Sequence, residues 1–387
     1  MPTTRFGQTM KALRESAGLS LLALANQVRW SKAAVGHAET GARAVSPDLA
    51  RSLDAALGAG GVLIALAAAD RDHGRTVDDV KRRTLLKGLA AGGAAYAALP
   101  RPTGRVSVAD VAPLLERTAE LRRLDDVVGG ADTFALYLAE VEHTQAILTG
   151  TSHNAATRRA LLAALAEQSQ LCGWAAFDAG WVDRSAHLYQ TSRSAAADAD
   201  DPALFANALA LDAYQRAFGG EPDPALAQAS CDALTNRVPA GVRALILDRA
   251  AYTFAVAGMT GEAETALGLA AVALTEPGGP PTPDWATWVD PVELDIMTGR
   301  CFSALRRPLR AVPPLERALA QFPDEYARDR ALYTLALAEA YLHARELDLA
   351  AQTIHTAHQL ARGLASTRPA LQLRRTLALS ARVRRRR

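Results

Sequence analysis

Apolar residues in the N-terminal part of the chain recur at intervals of three and four positions, the spacing of one face of an α-helix. Phe6, Met10 and Leu13 show this spacing. Glycine and serine residues separate successive segments of this kind, and these residue types commonly end and begin helices. The pattern predicts five short helices, at residues 6–16, 21–28, 32–40, 47–57 and 62–69.

The residues between these segments are specific start and stop signals. Gly18 is placed to end the first helix, and Ser20 and Ser31 are placed to cap the second and the third. Ser46 followed by proline is a start signal for the fourth helix. Two short helices joined by a tight turn form the helix-turn-helix unit, whose second helix enters the DNA major groove. The N-terminal segment is therefore predicted to bind DNA.

The remainder of the chain has a different pattern, in which a small residue or turn precedes an alanine-rich amphipathic segment. The turns recur at steps of 39, 39, about 47 and about 39 residues, beginning at Gly180. The long step contains a proline-rich insertion at 277–283. Inward alanines are expected after each turn, among them Ala225 and Ala229 in the second unit. Two helices per unit at this period are typical of a helical solenoid, so the predicted fold class is all-α.

These patterns predict four regions along the chain. They are a helix-turn-helix domain at 1–69, a linker at 70–109, a helical-repeat domain at 110–383 and a polybasic tail at 384–387. The linker contains paired arginines, Arg82 and Arg83, followed by a stretch rich in alanine and glycine. Three roles stay open for that stretch: a linker helix packed on the repeats, a membrane contact or an export signal.

Charge is unevenly distributed, although the formal net charge is only +2. Residues 1–100 carry 13 Lys and Arg against 8 Asp and Glu, and residues 101–367 carry 22 against 33. Residues 368–387 carry 8 arginines and no acidic residue. Only the two ends therefore favour a polyanion. The tail either attracts phosphate, binds the acidic body or is solvated.

Composition and the absence of known motifs argue against an all-β fold and against an enzyme. Aromatic residues make up 5% of the chain, and alanine, the best helix former, is abundant, which argues against an all-β fold. Cys172, Cys231 and Cys301 form no metal-binding or redox motif. The sequence contains no nucleophile elbow, phosphate-binding loop, dinucleotide-binding glycine motif or zinc-protease motif. We therefore expect no catalytic residues, no enzyme activity, no cofactor and no metal.

The N-terminal pattern resembles the XRE family of phage-repressor-like regulators over residues 5–66. The matching residues are Leu19, Ser20, Leu24, Ala25, Val28, Ser31, Val35, Glu39, Gly41, Ser46 and Pro47. The repeats resemble degenerate tetratricopeptide repeats, and the whole layout is similar to actinobacterial XRE regulators with a tetratricopeptide-like C-terminal region. The sequence departs from the family at Arg29, where glycine is frequent, and at Gly36, inside the third helix.

The resemblance to the XRE family implies roles for eight residues. Arg14 and Glu39 stand where the family has a structural salt bridge between the first and third helices. The implied base-reading residues are Lys32, Ala33 and His37, and the implied phosphate contacts are Arg29, Ser31 and Arg43.

By the same resemblance, the chain is expected to be a sequence-specific DNA-binding transcriptional regulator in the cytoplasm, associated with the nucleoid. Its partners would be a double-stranded DNA operator, a second copy in a homodimer, and a peptide or protein ligand in the groove of the repeats. Asn207 and Arg249 are the candidate groove residues. The alternative is a tetratricopeptide-type interaction scaffold with a vestigial helix-turn-helix, either free or associated with a membrane.

Overall fold

The chain divides into two compact units, Met1–Leu89 and Ala90–Arg387. The computed structural model describes residues 5–40, 45–59, 61–64, 66–67, 104–125, 129–323, 326–362, 364 and 366–385. Throughout these ranges the regular structure is helical, and the β pairing there is an isolated bridge between Arg105 and Ser152. The prediction of an all-α fold is confirmed. The segment with Arg82 and Arg83 lies outside the described residues.

The first unit contains four complete helices within the described residues. They are α1 (Arg5–Ser16), α2 (Leu21–Val28), α3 (Lys32–Thr40) and α4 (Pro47–Ala56). Residues 62–64 and 66–67 are also helical, at the position of the predicted fifth helix. Phe6, Met10, Leu24, Val35 and Leu53 are completely buried and form the centre of its core.

The predicted cap residues define where these helices begin and end. The hydroxyls of Ser20, Ser31 and Ser46 each accept a hydrogen bond from the backbone N–H three residues later, at 3.1, 3.1 and 3.2 Å. Gly18 adopts a left-handed φ of 64° after α1. Asp54 joins α4 to the following segment, because its carboxylate accepts the backbone N–H of Leu63 at 2.9 Å.

The second unit consists of helix pairs between two entry helices and one closing helix. The entry helices are α5 (Ala112–Asp125) and α6 (Gly130–Gly150), and the closing helix is α17 (Arg368–Arg384). The pairs are α7 (Ala155–Asp178) with α8 (Val182–Asp198), α9 (Pro202–Gly219) with α10 (Pro224–Asp232), α11 (Ala240–Val256) with α12 (Thr260–Thr275), α13 (Pro291–Ala304) with α14 (Pro308–Gln321), and α15 (Ala327–Ala344) with α16 (Leu347–Leu360).

The same turn joins the two helices of all five pairs. One residue in each turn has a left-handed backbone, and these residues are Gly180, Gly220, Gly258, Arg306 and Arg345, with φ between 56° and 93°. Their spacing follows the predicted period. The proline-rich insertion at 277–283 lies between α12 and α13, as its sequence position requires.

The first helix of each pair is the inner one. Of the 17 residues of α11, 12 are buried, whereas 5 of the 16 residues of α12 are buried. Successive first helices contact one another along the unit, which is the stacking expected of helical repeats. Helix α17 packs on α15 and α16 at the end of this stack.

The second pair deviates from the predicted register. Ala225 and Ala229 were expected to point inward, but both are exposed, and Ala227 and Ser230 are buried instead. The connection after Gly220 contains extra residues before α10 begins. The inward positions are therefore displaced along the sequence, which an alignment by turn residues does not reveal.

Candidate nucleic-acid interface

Three residues connect α2 to α3 in the helix-turn-helix. Arg29 ends α2 in a left-handed conformation, with φ 58° and ψ 39°. The backbone N–H of Trp30 then bonds the carbonyl of Ala25 at 3.0 Å. Ser31 caps α3 through the backbone N–H of Ala34. The turn therefore places the N-terminus of α3 directly after α2, without a longer loop.

A buried ion pair fixes α1 against the end of α3. The Nε and Nη2 atoms of Arg14 donate to the two carboxylate oxygens of Glu39 at 2.6 and 2.9 Å. A third donor of Arg14 bonds the carbonyl of Leu19, at 2.8 Å. The hydrogen bond with Glu39 raises the pKa of the Arg14 guanidinium above its ordinary value. Both residues are less than a tenth exposed, so loss of either partner would leave a buried charge.

Close packing at Gly7 reinforces this arrangement. A Cβ atom added at Gly7 would clash with the backbone oxygen of Glu39. The backbone of α1 therefore contacts the carboxyl end of α3 without a side chain between them. A glycine at this position is needed for the close approach of the two helices.

The opposite face of α3 is open to solvent. Lys32, Ala33 and His37 are all exposed, and the first turn of α3 contains no acidic residue. A Cβ atom added at Gly36 would meet no atom within 4 Å. The exposed face thus combines two hydrogen-bonding side chains with small residues. A surface of this kind allows the backbone of α3 to come close to a groove of DNA.

Two of the three residues predicted to contact phosphate lie beside this face. Arg29 and Ser31 are exposed in the turn before α3, and Arg43 lies outside the described residues. The hydroxyl of Ser31 already accepts a bond from the backbone, and it keeps its own proton for donation.

The two groove candidates of the repeat domain are buried in the interior of that unit. Asn207 donates to the Oε1 atom of Gln170 at 2.7 Å. Arg249 donates to Glu293 at 3.0 Å, and its guanidinium lies 5.1 Å from the ring centroid of Tyr214. Both candidates are therefore engaged by neighbouring side chains of the same unit. Their contact with a ligand stays a prediction.

The inner helices bury more charged side chains than the sequence pattern predicts. Arg249, Glu293 and Arg300 are each about 5% exposed. Both carboxylate oxygens of Asp248 are buried and form no hydrogen bond, although Oδ1 is 3.3 Å from Nη1 of Arg249. Burial raises the pKa of Asp248 to about 8. A possible sequence signal is a charged residue with apolar residues on both sides of the helix, as in the segment 247–250.

The described residues contain neither a membrane-spanning helix nor a metal-binding cluster. None of the described helices is long and apolar enough to cross a membrane. Within the same ranges, no group of three or more His, Cys, Asp or Glu side chains is arranged to hold a metal ion.

Comparison with known proteins identifies the first unit alone. Residues 5–67 match the family model described as a helix-turn-helix domain, and this range includes α1 to α4. No curated protein and no solved structure is significantly similar to the chain. The segment 5–67 is therefore a helix-turn-helix domain, the fold with which DNA-binding regulators contact their sites.

Proposed function

We propose that this chain is a transcriptional regulator that reads a double-stranded DNA operator with α3. The observation that supports the proposal most is the exposed face of α3, which the buried pair of Arg14 and Glu39 holds from the opposite side. A rigid recognition helix with an exposed, acid-free first turn is what direct readout in the major groove requires.

The exposed side chains would make two kinds of contact with DNA, to base edges and to phosphates. Lys32 is suited to donate to O6 or N7 of guanine, and His37 supplies a second donor. Ala33 is suited to contact the methyl group of thymine. Arg29, Ser31 and Arg43 would position the domain on the phosphate backbone without reading sequence.

A single domain of this size buries little DNA surface, so we propose a homodimer that binds two half-sites. The half-sites would be separated by roughly 34–36 Å, one turn of the double helix. The repeat domain would mediate dimerisation and sense a peptide or protein, and it would act in the cytoplasm as a non-enzymatic module. A ligand of the repeats would regulate DNA binding only by favouring one arrangement of the two reading domains.

Binding of the full-length protein to fragmented genomic DNA, followed by sequencing of the bound fragments, tests this proposal. We expect a shared site with two-fold symmetry that is retained as the salt concentration rises. Scattered binding that disappears at moderate salt would show that basic residues hold only phosphate. In that case the alternative function, an interaction scaffold with a vestigial helix-turn-helix, would replace the proposal.

A further inference from the structure

Helix α17 connects repeats that are far apart in the sequence. At its first residue, the Nε atom of Arg368 donates to Oδ1 of Asp178 at 2.7 Å, at the end of α7. Two turns later, Arg375 donates to backbone carbonyls at the end of α9. Thr376 donates to Oε1 of Glu339 on α15, at 2.7 Å. One helix therefore contacts the first, second and fifth pairs of the stack.

The groups that accept these hydrogen bonds all carry a full or partial negative charge. Asp178 and Glu339 are carboxylates, and the carbonyls of Phe218 and Gly219 belong to the last turn of α9. The carboxyl end of a helix carries a partial negative charge. This surface, which we call the acceptor surface, therefore favours cationic hydrogen-bond donors.

Aromatic rings extend the preference of the acceptor surface for arginine. The guanidinium of Arg368 lies 4.6 Å from the ring centroid of Trp174 and 5.2 Å from that of Phe177. Planar guanidinium groups stack on such rings better than ammonium groups do. The surface is therefore matched to arginine more than to lysine.

The spacing of the contacts is that of a helix lying in a groove. Arg368 and Arg375 are seven residues apart and so share one face of α17. Arg374, which is next to Arg375, is exposed and forms no ion pair within the described part of the chain. The basic residues of α17 thus fall into a set that contacts the repeats and a set that does not.

The fit between α17 and the repeats is incomplete. Two buried polar atoms of α17 itself, Oε1 of Gln372 and Nη2 of Arg368, form no hydrogen bond, and the latter is 3.9 Å from the carboxylate of Asp329. Buried polar atoms without partners reduce the stability of an interface. A helix without these unpaired atoms, but with the same arginine spacing, would bind the surface more tightly than α17 does.

We propose that the acceptor surface is a binding site for a helix with arginines seven residues apart, and that α17 occupies it within the same chain. A partner peptide of this chemistry would displace α17 and separate the contacts between the early and late pairs. This inference rests on the peptide-sensing role in the proposed function and specifies the ligand class. It also explains how a ligand enters a surface that the chain itself covers.

Attachment to the same chain gives α17 an effective local concentration of about millimolar order. An added peptide must therefore compete with a strong internal occupant. A substitution that weakens α17, without changing the acceptor surface, should reveal the site to the peptide. Arg375→Ala is such a change, because it removes two charge-assisted hydrogen bonds from the occupant alone.

The experiment measures binding of a labelled synthetic peptide, with the sequence of residues 366–385, to the full-length chain. We expect the Arg375→Ala chain to bind the peptide about tenfold or more tightly than the wild-type chain does. The matched control is the Arg374→Ala chain, which should behave as wild type. A peptide that itself carries Arg375→Ala should bind weakly, whereas a peptide that carries Arg374→Ala should bind normally.

Equal effects of the two substitutions, in the chain or in the peptide, would overturn the proposal. Hydrogen exchange of the wild-type chain provides a second test that needs no variant. The amides of α17 should exchange about tenfold or more faster than those of α9 and α15, because α17 leaves its site without global unfolding. Exchange of all three helices at one common rate would contradict the inference. Neither assay contains DNA, so their failure leaves the DNA-binding proposal untouched.

Discussion

Arg29 occupies a backbone conformation that an L-amino acid adopts at a cost. Its φ of 58° lies in the left-handed region, where a side chain costs roughly 1–2 kcal/mol relative to the right-handed form. Ser31, two residues later, caps α3 and keeps the turn short. A strained arginine in the turn is consistent with a function for its side chain that glycine would not provide.

Substitution of Arg29 by glycine should separate stability from DNA affinity. We expect Arg29→Gly to stabilise the first unit by about 1 kcal/mol, because the strain of the left-handed backbone is relieved. The same change should weaken DNA binding and reduce its dependence on salt, since a phosphate contact is lost. Hydrogen exchange of α2 and α3 measures the first effect, and titration with DNA at several salt concentrations measures the second. Unchanged DNA affinity would contradict the phosphate contact.

Buried Asp248 should make the stability of the repeat domain depend on pH. Burial raises its pKa to about 8, above the ordinary value of 3.8, so the folded state holds a proton that the unfolded state has released. This contribution to stability is fully present below pH 4 and is lost as the pH rises toward 8. Asp248→Asn should flatten that decline. Thermal unfolding of both proteins from pH 5 to pH 8 tests this, and parallel curves would count against it.

Two glycines show how α3 is packed on one face and open on the other. Gly7 allows α1 to contact the backbone at the end of α3, whereas the position of Gly36 faces open space.

The caps and the limits of α1 to α4 could be predicted from the sequence, because they depend on neighbours within four residues. The contact at Gly7 could not, because its partner Glu39 is remote in the sequence.

The same substitution at these two glycines should have opposite effects. Gly36→Ala should stabilise the first unit by about 1 kcal/mol, because alanine favours a helix and nothing obstructs its methyl group. Gly7→Ala should destabilise the unit, since its Cβ would clash with a backbone oxygen. Thermal unfolding of the two variants provides the comparison. Destabilisation by Gly36→Ala would show that α3 is packed on both faces.

The repeat domain closes on itself through contacts that no local pattern contains. Asp178 accepts bonds from Arg368 and from Ser366, although nearly half of the chain separates these residues. Periodicity predicted the helix pairs and their turns, because each pair repeats a local signal. It left out the bonds from α17 to the early pairs and the charges buried beside it, which depend on contacts between residues far apart in the sequence.

The central claim is that α3 reads the operator. The most direct test measures the operator affinity of three single-residue variants of the full-length chain. Lys32 and Lys11 are both exposed in the first unit, but only Lys32 lies on the open face of α3. We predict that Lys32→Ala lowers operator affinity by about 1–3 kcal/mol and that His37→Ala also weakens it, while Lys11→Ala has little effect. Equal affinity of all three variants for the operator would contradict readout by α3.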